Sequence, residues 1–242
     1  MNNIKIFSKS QFSLLWWSGT ISSFGDWATL FGSVALASYL GTEAGNSELT
    51  AIVPLIARIV PALLSSFAGL IADRYDKKII MIFCDVIRMI FVIFLFFADN
   101  LYSIFLINFL SEIFSLIRQP SREAVVPEIV NKENLVKANS LFAIGTYATL
   151  PIASLALGVV SDWNSLELTN ETGNGWSGSI IFLFDIFTFM ASAIILYFLK
   201  NQNKNTLNKK PDVSFKNFKD GLDYFFKTKD IRNISFSISF CL

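Results

Sequence analysis

The chain has 242 residues, of which 53% are hydrophobic and 15% aromatic, and a net charge of +1. Only 16% are charged, against roughly 25% in soluble domains, which excludes an ordinary water-soluble globule and points to helices that are apolar all round in a bilayer. Histidine is absent, which removes the commonest metal ligand and general base, and no basic stripe with interleaved aromatics suggests nucleic acid, so neither an enzyme nor a bound cofactor or metal is expected.

Apolar runs predict membrane-spanning helices at 12–39, 49–72, 78–98, 101–120, 136–161 and 178–199, each near the roughly 20 residues a span requires. The first run follows Lys5 and Lys9 but is longer than a signal-peptide core, and it reads as a retained helix. Within it Gly19, Gly25 and Gly32 are near-regularly spaced, which allows close approach of a neighbouring helix. Pro54, Pro61 and Pro151 fall inside predicted spans and lack the N–H that a straight helix uses, so bends are expected there.

The connections carry the topology. Residues 40–48 hold Glu43 and Glu48 but no Lys or Arg, whereas the next connection holds Arg74, Lys77 and Lys78. The third connection, "ADN", is free of basic residues, and the fourth holds Arg118, Arg122, Lys132 and Lys137. The fifth has none, and the sixth, from Lys200 onward, has eight lysines before Asp230. Basic residues on alternate connections obey the positive-inside rule with the amino terminus in the cytoplasm. The expected organisation is a six-helix unit over 1–199, a cytoplasmic linker over 200–230, and a partial seventh helix over 231–242. In the linker, Phe215, Phe218, Leu222, Phe225 and Phe226 lie at near-helical spacing, as in a short amphipathic helix on a membrane surface. The ten largely apolar residues after Arg232 are about half a span, so a fragment or truncated product is expected. Cys84 and Cys241 have no paired spacing, so a disulfide framework is not expected.

Six ionisable residues fall inside the spans: Asp26, Arg58, Asp85, Arg88, Glu112 and Asp185. A charge at the bilayer centre costs a few kcal/mol on insertion scales, so each should face protein or water and have a partner. Depth along the helices suggests pairing Asp26 with Arg58 and Arg88 with Glu112, and Asp85 could meet Arg88 three residues away. Two readings apply. Asp26 or Glu112, with Arg58 nearby, lines a substrate or proton pathway; or the charges, Asp85, Arg88 and Asp185 above all, neutralise one another to fix helix packing.

The stretch "GLIADRYDKK", residues 69–78, resembles the loop between the second and third helices of the major facilitator superfamily, with the approximate pattern G-x-L-A-D-R-x-G-R-K. Gly69, Ala72, Asp73, Arg74, Lys77 and Lys78 match, Ile71 is a mild substitution, and Asp76 replaces a glycine. "LLWWSGTISSFGDWA", "IARIVPALLSSFAGLIADR", "RQPSREAVVPEIVNKENLVKANSL" and "FLFDIFTFMASAI" resemble the bacterial exporter branch that includes enterobactin and macrolide efflux proteins. The resemblance covers the first half of a twelve-helix transporter and its central linker, so the implied fold is an all-α membrane protein with six spans plus part of a seventh. It implies a secondary transporter in the bacterial inner membrane, exporting amphipathic small molecules such as drugs or siderophores by proton-coupled alternating access. Its partners would be lipid, substrate, protons and a carboxy-terminal half or second polypeptide. It further implies a conformational latch of Gly69, Asp73, Arg74, Lys77, Lys78 and Arg118. "TLPIASLALG" keeps Pro151 but has Leu150 and Ser154 where a fifth-helix antiporter motif carries glycines. The competing expectation is a transport-inactive six-helix remnant, or a half that needs a second polypeptide or a second copy.

Overall fold

The computed structural model describes residues 10–43, 50–62, 75–167 and 179–200. Every regular element among them is helical: α1 (Ser10–Glu43), α2 (Val53–Ala62), α3 (Lys77–Leu95), α4 (Leu101–Ile129), α5 (Leu135–Tyr147), α6 (Thr149–Glu167) and α7 (Ser179–Tyr197), with one 3-10 turn at Lys132–Asn134. The connection bearing Gly69, Asp73 and Arg74, the linker beyond Lys200 and the start of a seventh span lie outside the described residues.

Local chemistry sets the helix starts. Asp76 caps α3, its Oδ1 accepting from the backbone N–H of Lys78 at 2.9 Å and of Ile79 at 3.3 Å. A carboxylate there satisfies orphan donors and interacts favourably with the positive end of the helix dipole, which gives the residue that replaces the family's glycine a clear local role. Asn100 caps α4, accepting from the Ser103 N–H at 2.8 Å.

Two boundaries differ from expectation. The fourth helix does not stop at 120 but continues through Pro120 and Pro127 to Ile129. The polar stretch that reads as a connection is the last part of a helix, with Arg118 buried and Gln119, Glu123 and Glu128 exposed. The span expected over 136–161 is two helices, parted at Ala148. Pro151 cannot donate to the carbonyl of residue 147, and Thr149 Oγ1 instead donates to the Thr146 carbonyl at 2.6 Å.

α1 packs extensively on α7, and α3 on both α4 and α7. The buried side chains sort into layers. One apolar cluster, with Phe12, Leu15, Met81, Val125, Phe142 and Leu196, joins the starts of α1 and α3 to the ends of α4 and α7. A second, with Leu36, Val92, Leu95, Ile104, Phe182 and Phe189, joins the opposite ends. α1 and α3 therefore run antiparallel to α4 and α7. Between the apolar layers lie buried Ser18, Ser22, Asp85, Arg88, Asn108, Arg118, Asp185 and Ser192. Large apolar side chains such as Ile59, Phe97, Leu155 and Phe198 point outward, the inverse of a soluble protein and the pattern of a lipid-facing surface. Leu101–Ile129 and Ile180–Tyr197 are each long and apolar enough to cross a membrane.

Gly25 shows why α1 needs a residue without a side chain. A Cβ at that position would collide with the Asp185 carboxylate and the Thr188 hydroxyl of α7.

Candidate substrate cavity

A cavity of about 700 Å³ opens among α1 to α5. Its α4 wall carries Glu112, Ser115, Arg118, Gln119, Arg122 and Glu123, and its α5 wall carries Asn139, Phe142, Ala143, Thr146 and Tyr147. Asp26 and Trp27 of α1, Arg58 of α2 and Arg88 of α3 complete it. On α4 the lining extends from Glu112 to Pro127, about 22 Å of helix at 1.5 Å per residue. Two hydrogen bonds fix the α1 wall to α5: Trp27 Nε1 donates to the Thr146 carbonyl at 3.1 Å, and Trp16 Nε1 to the Leu141 carbonyl at 2.8 Å.

The charged residues in the spans meet, but not in the expected pairs. Arg88 forms an ion pair with Asp26 and lies 4.4 Å from the centroid of the Phe189 ring. Arg58 faces Glu112 at 3.9 Å, and its Nη2 donates to the Asp26 carbonyl at 3.1 Å. The acids and bases inferred from depth are thus adjacent with partners exchanged. Depth gives the height of a side chain along a helix; the direction in which it points decides between neighbours at one height.

Asp85 turns from Arg88 to Arg118, whose Nε lies 2.6 Å from its Oδ1. Ser192 completes this buried knot, accepting from Arg118 Nη2 at 3.2 Å and donating to Asp85 Oδ2 at 2.6 Å. Arg118, expected in the latch, is engaged inside the bundle. Asp185 accepts from Thr29 Oγ1 and from Thr188 Oγ1; no cation lies within 4 Å of it among the described residues. Of the other latch residues, Lys77 pairs with Glu128 at 2.7 Å, and Lys78 Nζ donates to the Tyr197 and Leu199 carbonyls at 2.7 and 2.6 Å. These lysines tie the start of α3 to the ends of α4 and α7, where a cation also favours a helix carboxyl terminus. Gly69, Asp73 and Arg74 are outside the described residues.

Sequence reasoning took Arg122 only as a topology-setting charge, and it assigned nothing to Trp27 or to the hydroxyls of Thr29, Thr188 and Ser192. Arg122 was findable: it stands four residues after Arg118, on the same helical face. The hydroxyls carry no such signal, because Ser and Thr are unremarkable in a membrane helix.

Among the described residues, five helices around a polar cavity, with large apolar side chains facing outward, describe a helical membrane protein. The sequence profile of the Major Facilitator Superfamily matches residues 15–242, and the chain belongs to that superfamily. Its members are transporters rather than enzymes, and the chain is a multi-pass, all-α membrane protein. Among curated proteins it is similar to the lysophospholipid transporter LplT of Citrobacter koseri, 26% identical over 179 residues covering 74% of this chain and 43% of that protein. It is also similar to LplT of Pectobacterium carotovorum, 30% identical and covering 59% of this chain and 34% of that protein. LplT of Cronobacter sakazakii is 28% identical over 60% of this chain and 35% of its own length. The chain thus spans less than half the length of these relatives. No solved structure matches it. The superfamily expectation holds, whereas the named relatives are lysophospholipid transporters rather than enterobactin or macrolide exporters.

Proposed function

We propose that this chain forms the amino-terminal half of a secondary transporter in the bacterial inner membrane that moves an amphipathic, lysophospholipid-like substrate by alternating access. The observation that carries the reading is the mixed lining of the cavity: charged side chains on α4 beside the aromatic and apolar side chains Phe142, Ala143 and Tyr147 on α5. A single-chain lipid has the same division, an ionic head and one apolar tail. The names of the similar proteins support this substrate class over the drugs and siderophores expected from sequence.

Asp26, Arg58, Arg88 and Glu112 form the polar floor of the pathway in this reading. Coupling to protons through Asp26 or Glu112 is in this reading a matter of that acid separating from its arginine during the cycle. Asp73 and Arg74, with Lys77 and Lys78 beside them in sequence, act as the latch between halves, making pairs in one state and breaking them in the other. The test is uptake of radiolabelled lysophosphatidylethanolamine into proteoliposomes holding this chain together with a carboxy-terminal half. Uptake above protein-free vesicles, reduced by Glu112→Gln, is expected. Absence of lipid uptake alongside efflux of a macrolide would replace this substrate class with the drug-export one.

A further inference from the structure

Four arginines line the cavity, and they are not equivalent. Arg58, Arg88 and Arg118 each have a carboxylate within 4 Å: Glu112, Asp26 and Asp85. Arg122 has none among the described residues. Its Nε is buried without a hydrogen-bond partner. The guanidinium carbon lies 5.1 Å from the centroid of the Phe142 ring, a cation–π contact that supplies no anionic partner. Glu123, next in sequence, is exposed, and its Oε1 accepts from Gln119 Nε2 at 3.1 Å.

α1 passes directly beside this side chain: a Cβ at Gly19 would lie at ordinary contact distance, 3.4 Å from Arg122 Nη1 and 3.6 Å from its Cδ. A partly buried guanidinium with no carboxylate against it favours an anionic partner, and its fork of N–H donors matches the oxygens of a phosphoryl group.

We propose that Arg122 receives the phosphoryl anion of the substrate, supplying the counter-charge that the other three arginines already have. The inference rests on the lysophospholipid-like reading above and deepens it by assigning headgroup recognition to one residue. Phe142, stacked on Arg122, would then stand where the polar head gives way to the acyl chain. The ligand chemistry is a phosphate ester, whether carried by a lipid or by a free glycerophosphate.

The experiment measures binding to the full chain in neutral-lipid nanodiscs, read by fluorescence of Trp27, which lines the same cavity. The probes are lysophosphatidylglycerol, the matching monoacylglycerol without phosphate, and sn-glycerol 3-phosphate. The wild-type chain is expected to bind lysophosphatidylglycerol about tenfold or more tightly than monoacylglycerol, the scale of one charge-assisted bidentate contact. Arg122→Gln should remove that preference, so that the two lipids bind alike, and Arg122→Lys should restore part of it. Equal binding of the two lipids by the wild-type chain would overturn the proposal without reference to any variant. An Arg122→Gln chain that retains the full preference would overturn it too, while leaving the lysophospholipid reading intact. Failure of both lipids to bind the wild-type chain would overturn both readings. Binding of glycerophosphate as tight as that of the phospholipid would keep the arginine's role and overturn the lipid substrate.

Discussion

Arg118 and Asp85 are the most deeply buried ion pair among the described residues, with side-chain exposures of 7% and 0%. Removing one partner of such a pair leaves an uncompensated charge, typically at a cost of about 3–5 kcal/mol, whereas replacing both with apolar groups is often nearly neutral. Asp85→Leu and Arg118→Met are therefore each expected to lower the unfolding temperature of the purified protein sharply, and the double variant to recover most of the loss. A double variant as unstable as the sum of the singles would show that the two charges act independently. At this scale the sequence revealed which residues needed partners but not which partner each took. Asp26, Arg58, Arg88 and Glu112 cluster as their depths predict, yet Arg88 lies with Asp26 and Arg58 with Glu112. Four ions at similar height can pair in two ways, and the choice depends on helix rotations that apolar periodicity does not encode.

At the scale of the element, α1 and α7 are held by a contact that depends on Gly25. Gly25→Ala adds a carbon where the Asp185 carboxylate and Thr188 hydroxyl already stand, and overpacking of this kind costs about 1–3 kcal/mol. The expected result is a lower melting temperature for Gly25→Ala, partly recovered by adding Thr188→Ala; a melting temperature unchanged by Gly25→Ala would mean the two helices separate freely. The glycine spacing was legible as a close-approach surface, but the carboxylate it accommodates was not. Helix ends were less legible than helix cores. Pro120 and the charges around it read as a loop because sequence patterning equates polarity with bulk water, and α4 instead directs those charges into a cavity. Pro151 was legible as a bend, and the break lies just before it.

For the whole molecule, the alternation of basic residues and the observed helix directions agree: the starts of α1 and α3 share one end with the finishes of α4 and α7. If that end is cytoplasmic, as the positive-inside rule expects, Lys132→Cys should react with a membrane-impermeant maleimide only in inverted vesicles, and Asp99→Cys only in intact cells. Cys84 is buried and should stay silent, with Cys241→Ser as background. The opposite labelling pattern would invert the topology. The helical, membrane-spanning character of the segments was legible because it follows from composition, a property each segment carries by itself. The cavity was not, because it belongs to five helices at once.

The two apolar clusters above and below the buried charges also make the middle of the bundle an insulated compartment. Dissolved ions screen charges over about 8 Å in physiological salt, but they do so only where water and ions can enter. Between the apolar layers, the Arg118–Asp85 pair interacts mostly through protein, whereas Arg88 and Asp26 meet at the wall of the cavity. A charge brought in by a ligand on the cavity side would therefore be felt across α4 with little attenuation. The Arg118–Asp85 pair at the centre of the bundle is therefore expected to keep its strength as the salinity outside changes.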